Sequence, residues 1–268
     1  MELGLGGRVA IIAAASRGLG KATACALARE GAHVVIAARG TTDLEKTAKE
    51  IRRAVANEGL ENEVLAVRAD VSIEADIEAL VDAARERFGR IDILVNNAGG
   101  PRAGRFSDME DTDWLGAINL NLMSTIRLTR LVLPEMRSRR WGRIINITSF
   151  AVKQPIPNLI LSNTARSGVV AMAKTLAGEV AVEGITVNNV CPGYILTDRV
   201  RRLARATAQT QNARAKDVLA GWEASIPTGR LGKPQELAAV IAFLASEQAS
   251  YVTGTTIQVD GGLVAGLL

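Results

Sequence analysis

The 268-residue chain is predicted to be an α/β protein: a single domain over 1–268 built on a doubly wound parallel sheet of about seven strands, with helices on both faces. Three observations lead there. Short apolar runs of strand type alternate with amphipathic helical runs along nearly the whole chain. Hydrophobic residues make up 48% of it, enough for a core covered on both sides. No internal repeat or low-complexity linker breaks the rhythm.

The first predicted strand, 9–12, runs into Ala13-Ala14-Ala15-Ser16-Arg17-Gly18-Leu19-Gly20 and then into a helix starting near Leu19. Residues without bulky side chains let the backbone approach a pyrophosphate, while the helix aims free N–H groups and its dipole at the anion. Ser16, Arg17, Gly18, Leu19 and Gly20 are therefore candidate cofactor-binding residues, and a dinucleotide is the expected guest. Ala14 suits such a bend if its φ stays negative. Leu19, Ala22, Ala26 and Leu27 share one helical face, Gly31 ends the helix, and 33–37 is the next strand. Arg39 follows it. An acidic residue about 20 positions after the glycines would hold a ribose 2′-hydroxyl, whereas an arginine favours a 2′-phosphate. Together with Arg17 it predicts NADP(H) rather than NAD, unless both arginines merely face solvent.

Beyond Arg39 the pattern predicts a helix over 42–58, a strand over 64–67, then Asp70-Val71 and a helix capped by Ser72. In that helix Ile73, Ile77, Leu80, Val81, Ala84 and Phe88 recur at helical spacing. A strand over 91–95, a long helix over 113–137, a strand over 143–147, a helix over 163–182 and a strand over 186–190 complete the middle. Residues 197–225 depart from the rhythm, being polar and carrying Arg199, Arg201, Arg202, Arg205 and Arg214. They follow a strand's carboxyl end, where ligands sit in doubly wound sheets. A helical substrate lid is expected, with a solvated helical face as the alternative. Pro234 opens another helix, and a strand over 255–259 ends at Asp260-Gly261-Gly262.

Composition excludes several function classes. The net charge of +4 comes from dispersed basic residues and only 3% of the chain is aromatic, so no nucleic-acid partner is expected. Cys25 and Cys191 have neither metal nor disulfide spacing and are expected to be inert and buried in a reducing compartment. The single histidine, His33, is expected to be structural, and no metal site is predicted. Residues 1–7 lack the charged-then-apolar pattern of a leader, and no run is long enough to cross a bilayer. The expectation is a soluble cytoplasmic protein without a membrane partner, acting on a small molecule.

The cradle with Gly18 and Gly20, Asp70-Val71, Asn96-Asn97-Ala98-Gly99, Ser149, Pro192-Gly193 and the closing Asp260-Gly261-Gly262, in this order along the strands, resemble the short-chain dehydrogenase/reductase family. The resemblance covers nearly the whole chain and implies a Rossmann-like fold. It also implies that Asp70 and Val71 meet the adenine, that Asn97, Ala98 and Gly99 meet the adenosine ribose and neighbouring backbone, and that Pro192, Gly193 and Thr197 meet the nicotinamide end. Of the family's four catalytic positions, the chain supplies Asn121 and Ser149. The tyrosine position falls at Ser162 and the lysine position at Arg166, with Val169, Val170, Met172, Ala173, Leu176 and Ala177 keeping the following helix in register.

A phenol, with a reference pKa of about 10, can be tuned as a proton donor by a nearby cation; an aliphatic hydroxyl is a much poorer acid. The expected substitute has Ser149 holding the carbonyl oxygen and a water held by Ser149, Ser162 and Arg166 relaying the proton, with Arg166 also bonding the nicotinamide ribose. Tyr194 and Lys153 are the other candidate donors, against lid packing and a surface position respectively. Two functions stay open: a 3-oxoacyl-carrier-protein reductase-like NADP(H)-dependent oxidoreductase acting on a carbonyl or alcohol, and an NADP(H)-binding protein without turnover, serving as a sensor or inactive subunit. By analogy with the family, a homodimer or homotetramer is expected. Gly168, Ala171, Ala173 and Ala177 would allow close helix approach and the apolar tail 263–268 would seek burial, either between subunits or within one.

Overall fold

Side chains of a strand alternate between the two faces of its sheet. In β1 (Val9–Ile12) all four residues are buried, with Val9 and Ile11 in one apolar cluster and Ala10 and Ile12 in another. A strand apolar on both sides needs cover on both faces, which is the condition of a parallel sheet. The computed structural model, which describes residues 2–267, has that architecture. Its strands β2 (His33–Ala38), β3 (Val64–Arg68), β4 (Ile93–Asn96), β5 (Gly142–Ile147), β6 (Ile185–Pro192) and β7 (Thr256–Val259) join β1 in one seven-stranded sheet of order β3-β2-β1-β4-β5-β6-β7, all pairs parallel. The strand order reverses direction at β1, so the crevice at the carboxyl ends of β1 and β4 is the topological switch point where ligands bind.

One face is covered by α1 (Gly18–Arg29), α2 (Thr41–Asn57) and α9 (Pro234–Ala245), through Leu27, Leu44, Ile51, Leu237 and Ile241. The other is covered by α3 (Glu74–Phe88), α5 (Ser124–Arg139) and α6 (Ile160–Val180), through Leu80, Val81, Leu128, Val132 and Ala173. Residues 197–225 form α7 (Asp198–Thr210) and α8 (Ala215–Ser225), which pack on each other through Ala204, Ala208 and Val218 in a small cluster apart from both sheet cores. His33 is structural: its Nδ1 accepts from the Glu63 N–H at 3.0 Å and its ring lies 5.1 Å from that of Phe88. No described helix is long and apolar enough to cross a membrane.

Several expectations need correction. Ser72 does not cap α3. Asp70 Oδ1 accepts from both the Ser72 N–H (3.0 Å) and its hydroxyl (2.7 Å), and this local turn diverts Ser72 and delays the helix to Glu74. The long helix is interrupted: α4 (Asp111–Ala117) passes into a π-helical stretch, Ile118–Met123, before α5. The Ser124 hydroxyl donates to Leu120 O (2.6 Å) and the Thr125 hydroxyl to Asn121 O (3.0 Å), filling carbonyls that the wide turn loosens. Cys25 is half-buried, with only Cys191 fully inside. Of the four small residues expected to allow close approach on α6, Ala173 and Ala177 belong to the subunit's own core, and a Cβ on Gly168 would lie 3.0 Å from Leu122 Cδ2, so among these four Ala171 alone is exposed. Leu263 and Val264 are half-buried while Ala265, Gly266 and Leu267 are exposed; Met1 and Leu268, the ends of the first stretch and of the tail, lie outside the described residues.

Candidate active site

The cradle is pinned between two strands. Ala13 N–H donates to Val95 O (3.1 Å) and Ala15 N–H to Ala37 O (2.9 Å), so the bend has no freedom to open. A Cβ at Gly20 would fall 2.5 Å from Ala14 O, and Gly18 takes φ +60, so both positions demand glycine. No side chain caps α1 and its first turn holds no acidic residue, which leaves its N–H groups and dipole for an anion. The hydroxyl of Thr47 ties the Ser16 carbonyl to α2 at 2.7 Å. Ala14 does not keep a negative φ: its value is +48, because the strand bonds on either side dictate the bend. An L-residue there costs about 1–2 kcal/mol, partly offset by glycine's greater entropy loss. Ala14→Gly should therefore stabilise the protein by up to about 1 kcal/mol, read as a rise of roughly 1–4 °C in Tm by calorimetry.

At the adenosine end, Arg17 and Arg39 are 60% and 78% exposed and each leans loosely on a carboxylate. Arg17 Nη1 lies 4.0 Å from Asp43 Oδ2 and Arg39 Nη1 lies 3.9 Å from Asp70 Oδ2. Such pairs are weak enough for an arriving phosphate to displace. Burial pushes the Asp70 carboxyl up, but the two bonds from Ser72, with Arg39 and Arg68 nearby, hold it below its ordinary value and ionised. Val71 is buried beside it.

The carboxyl ends of the central strands carry a polar ladder. Asn96 Nδ2 donates to Asn146 Oδ1 (2.9 Å), Asn146 Nδ2 to Asn189 Oδ1 (3.0 Å), and Asn189 Nδ2 to the Thr256 hydroxyl (3.2 Å), following the register of β4 to β7. Asn97 Nδ2 reaches back to Ala13 O (3.2 Å) and Ala14 O (3.3 Å), locking the cradle to the exit of β4. Asn146 and Asn189 are not among the residues the motifs point to. The signal that could find them is an asparagine inside an otherwise β-branched strand, where asparagine is disfavoured.

Above this ladder sits Arg166, 9% exposed, with its guanidinium at the meeting point of three elements. Nε donates to Ser162 Oγ (3.2 Å), Nη1 to Ile147 O (3.0 Å) and Thr148 O (3.2 Å), and Nη2 to Ala98 O (3.2 Å) and Gly99 O (3.4 Å). All five N–H groups are thus engaged. The expectation that Arg166 bonds the nicotinamide ribose and holds a relay water needs revision, because main-chain carbonyls have taken those donors. Burial and the positive charge of Arg199 push its pKa down to about 10, which still leaves it charged at neutral pH. Asn121 Nδ2 donates to the same Gly99 carbonyl at 2.9 Å, and Asn121 Oδ1 has no partner. Asn96 Oδ1 is also unpartnered, and both residues line a cavity of about 10 Å³ beside Arg166.

Ser149 Oγ accepts from the Ala151 N–H at 3.1 Å, and Ser162 Oγ accepts from Arg166; each hydroxyl therefore keeps its own proton for another acceptor. Lys153 makes no ion pair among the described residues. Tyr194 stacks on Trp222 at 4.7 Å and meets Phe150 edge-on at 5.4 Å, joining α8 to the exit of β5. Burial pushes its phenol up, away from use as an acid, so packing between Phe150 and Trp222 is its place. Gly193 N–H bonds Val259 O (3.0 Å), and Pro192 ends β6. Thr197 caps α7, its Oγ1 accepting from Val200 N–H (3.4 Å), with its methyl over Gly18: a Cβ there would lie 3.6 Å away. The structure thus brings Asn121, Ser149, Ser162 and Arg166 to one end of the sheet, with the cradle and Thr197 beside them.

A family model described as Enoyl-(Acyl carrier protein) reductase matches residues 13–264. The chain is 40% identical over 259 residues to the 3-oxoacyl-acyl-carrier-protein reductase of Synechocystis sp., covering 96% of this chain and 97% of that one. It is similar to L-sorbose reductase from Gluconobacter frateurii, solved with NADPH and L-sorbose, at TM-score 0.92 and 35% identity over 100% of both chains. An actinorhodin polyketide ketoreductase solved with NADPH superposes with TM-score 0.90 at 36% identity, covering 96% of this chain and 97% of that one.

Proposed function

Because the chain belongs to the short-chain dehydrogenase/reductase family, we propose that it is an NADP(H)-dependent oxidoreductase that interconverts a carbonyl and an alcohol through a rearranged proton relay. The observation that carries this reading is the bond from Arg166 Nε to Ser162 Oγ, which sets a fixed cation behind a hydroxyl that is still free to donate. Relatives named as 3-oxoacyl and polyketide ketoreductases support the reaction type, and the NADPH in solved neighbours supports the coenzyme.

The cradle, Ser16 to Gly20, fits a pyrophosphate, since Gly20 leaves room for backbone alone and the start of α1 is uncapped. Arg17 and Arg39 would hold the 2′-phosphate, Asp70 and Val71 the adenine, Asn97, Ala98 and Gly99 the ribose, and Pro192, Gly193 and Thr197 the nicotinamide end. NADPH, when bound, supplies the hydride for the new C–H bond. The protein's task is the oxygen. Ser149 donates its hydroxyl to the carbonyl oxygen; a water between Ser149 and Ser162 gives a proton to the developing alkoxide and takes the Ser162 proton in return. Arg166 offsets the charge left on Ser162 Oγ until solvent restores its proton, so it acts through Ser162 and not on the water. A second water fits the cavity of about 10 Å³, donating to Asn96 Oδ1 and Asn121 Oδ1 and steadying Asn121 against Gly99. Residues 197–225 act as the lid, hinged on the Tyr194–Trp222 stack.

The full occupation of the Arg166 donors favours one other reading, an NADP(H)-binding subunit without turnover. Steady-state assays with ketones, 3-oxoacyl thioesters and quinones decide: NADPH oxidation above buffer supports the reductase, and coenzyme binding without oxidation across the panel supports the other. We further read the protein as a cytoplasmic homodimer or homotetramer, with sedimentation as the check. Arg39→Glu should weaken NADPH roughly 10- to 100-fold by fluorescence titration, the loss of one charge-assisted bond, and leave NADH unaffected or tighter. Equal losses for both coenzymes would remove the 2′-phosphate role.

A further inference from the structure

Arg199, in the first turn of α7, reaches across the mouth of the site. A Cβ built on Gly100 would fall 1.8 Å from its Nη2 and 2.5 Å from its Cζ, so the guanidinium lies on the Gly100 backbone. Arg166 Nη2 grips the two preceding carbonyls, Ala98 O and Gly99 O. One three-residue loop thus carries two guanidinium groups. Three other surface arginines are paired: Arg102 is clamped by Asp113, Arg214 by Asp217 and Arg230 by Glu236. Among the described residues, Arg199 makes neither an ion pair nor a hydrogen bond. Burial and Arg202 push its pKa down and Arg199 in turn pushes down that of Arg166, the mark of like charges gathered without a carboxylate. Arg199 is exposed at the cleft mouth, so its donors are open to solvent, and two cations gathered on one loop make that mouth attractive to an anion.

We propose that Arg199 is a specificity-determining residue that grips a carboxylate on the substrate, so that the protein takes oxo acids in preference to neutral ketones; this rests on the reductase reading above. Arg199 offers the free donors and Arg166 adds only its field, because its own N–H groups are spent. The coenzyme's pyrophosphate is a poorer match for Arg199. Its cradle lies under Thr197 at Gly18, whereas Arg199 turns from there toward Gly100, on the Arg166 side.

The test is calorimetric titration of 2-oxo-4-phenylbutanoate and of its ethyl ester into the full chain, with and without NADP+. The acid should bind wild type roughly 10- to 100-fold more tightly than the ester, as one bidentate charged contact allows. Arg199→Gln should abolish that preference while leaving ester and NADP+ affinities unchanged, and Arg199→Glu should reverse it. Equal affinities in wild type, or an acid preference that survives Arg199→Gln, overturn the proposal. So does a selective loss of NADP+ binding in the variant, which would make Arg199 a coenzyme clamp. Failure of wild type to bind NADP+ at all would instead overturn the reductase reading, and the titrations without coenzyme would still decide on Arg199.

Discussion

Ser162→Ala lowers kcat for NADPH-dependent carbonyl reduction by about 10²- to 10⁴-fold, while the NADPH dissociation constant stays within about twofold of wild type. The reasoning is local. Ser162 Oγ accepts from Arg166 Nε and is the one side-chain partner of that guanidinium; the others are main-chain carbonyls. Removing Oγ takes away the hydroxyl that resupplies the relay water, and with it the link to the Arg166 charge, without touching the cradle, Arg17 or Arg39. The loss belongs in kcat, since a proton delivered only as the alkoxide forms stabilises the transition state and not bound substrate. Wild-type activity should be level across neutral pH and fall as pH rises through about 10, where Arg166 loses its proton. The alanine variant should lack that limb. Ser162→Tyr combined with Arg166→Lys, which recreates a phenol beside an ammonium, should recover a rate close to or above wild type. A Ser162→Ala enzyme with unchanged kcat would show that the hydroxyl only fills space.

How much of this was readable beforehand differs from link to link. The sheet was legible because strands apolar on both faces and helices with one apolar stripe allow few other arrangements. The cradle was legible because the demand for small residues is written into Gly18 and Gly20. The backbone angle of Ala14 was not, since it is set by hydrogen bonds to Val95 and Ala37, residues far along the chain. Ser72 had the right chemistry for a helix cap, yet an equally good acceptor two residues earlier, Asp70, claimed it. The π-helical turn that buries Asn121 depends on packing and has no spacing signal of its own. Arg166 was visible as a guanidinium at the position of the family's lysine. Its partners were not, because carbonyls from the ends of β4 and β5 leave no trace in side-chain patterns.

Those carbonyls make Arg166→Met strongly destabilising: an expected loss of about 2–4 kcal/mol and a Tm lower by roughly 5–15 °C in a thermal melt. Two terms oppose each other. Methionine removes a buried charge, and that gain is real: a folded pKa pushed down to about 10, well below arginine's ordinary value, means the unfolded chain holds the proton more tightly. This cost is present in full below about pH 10 and is relieved only as pH rises through the folded value toward the unfolded one, so at neutral pH its removal returns on the order of a few kcal/mol. Against it stand five lost hydrogen bonds from a charged donor. Four of them end on carbonyls at Ile147, Thr148, Ala98 and Gly99, where methionine offers nothing and water has little access. Each buried acceptor left short costs about 1–3 kcal/mol, and only Gly99 keeps another side-chain donor, Asn121. The sum favours the arginine. Arg166→Lys, with three donors on a compact charge, should recover part of the loss but not all, since an ammonium cannot span the exits of β4 and β5 as the planar fork does. A methionine variant as stable as wild type would mean that relief of the buried charge outweighs the hub, and that Arg166 is held in place for chemistry alone.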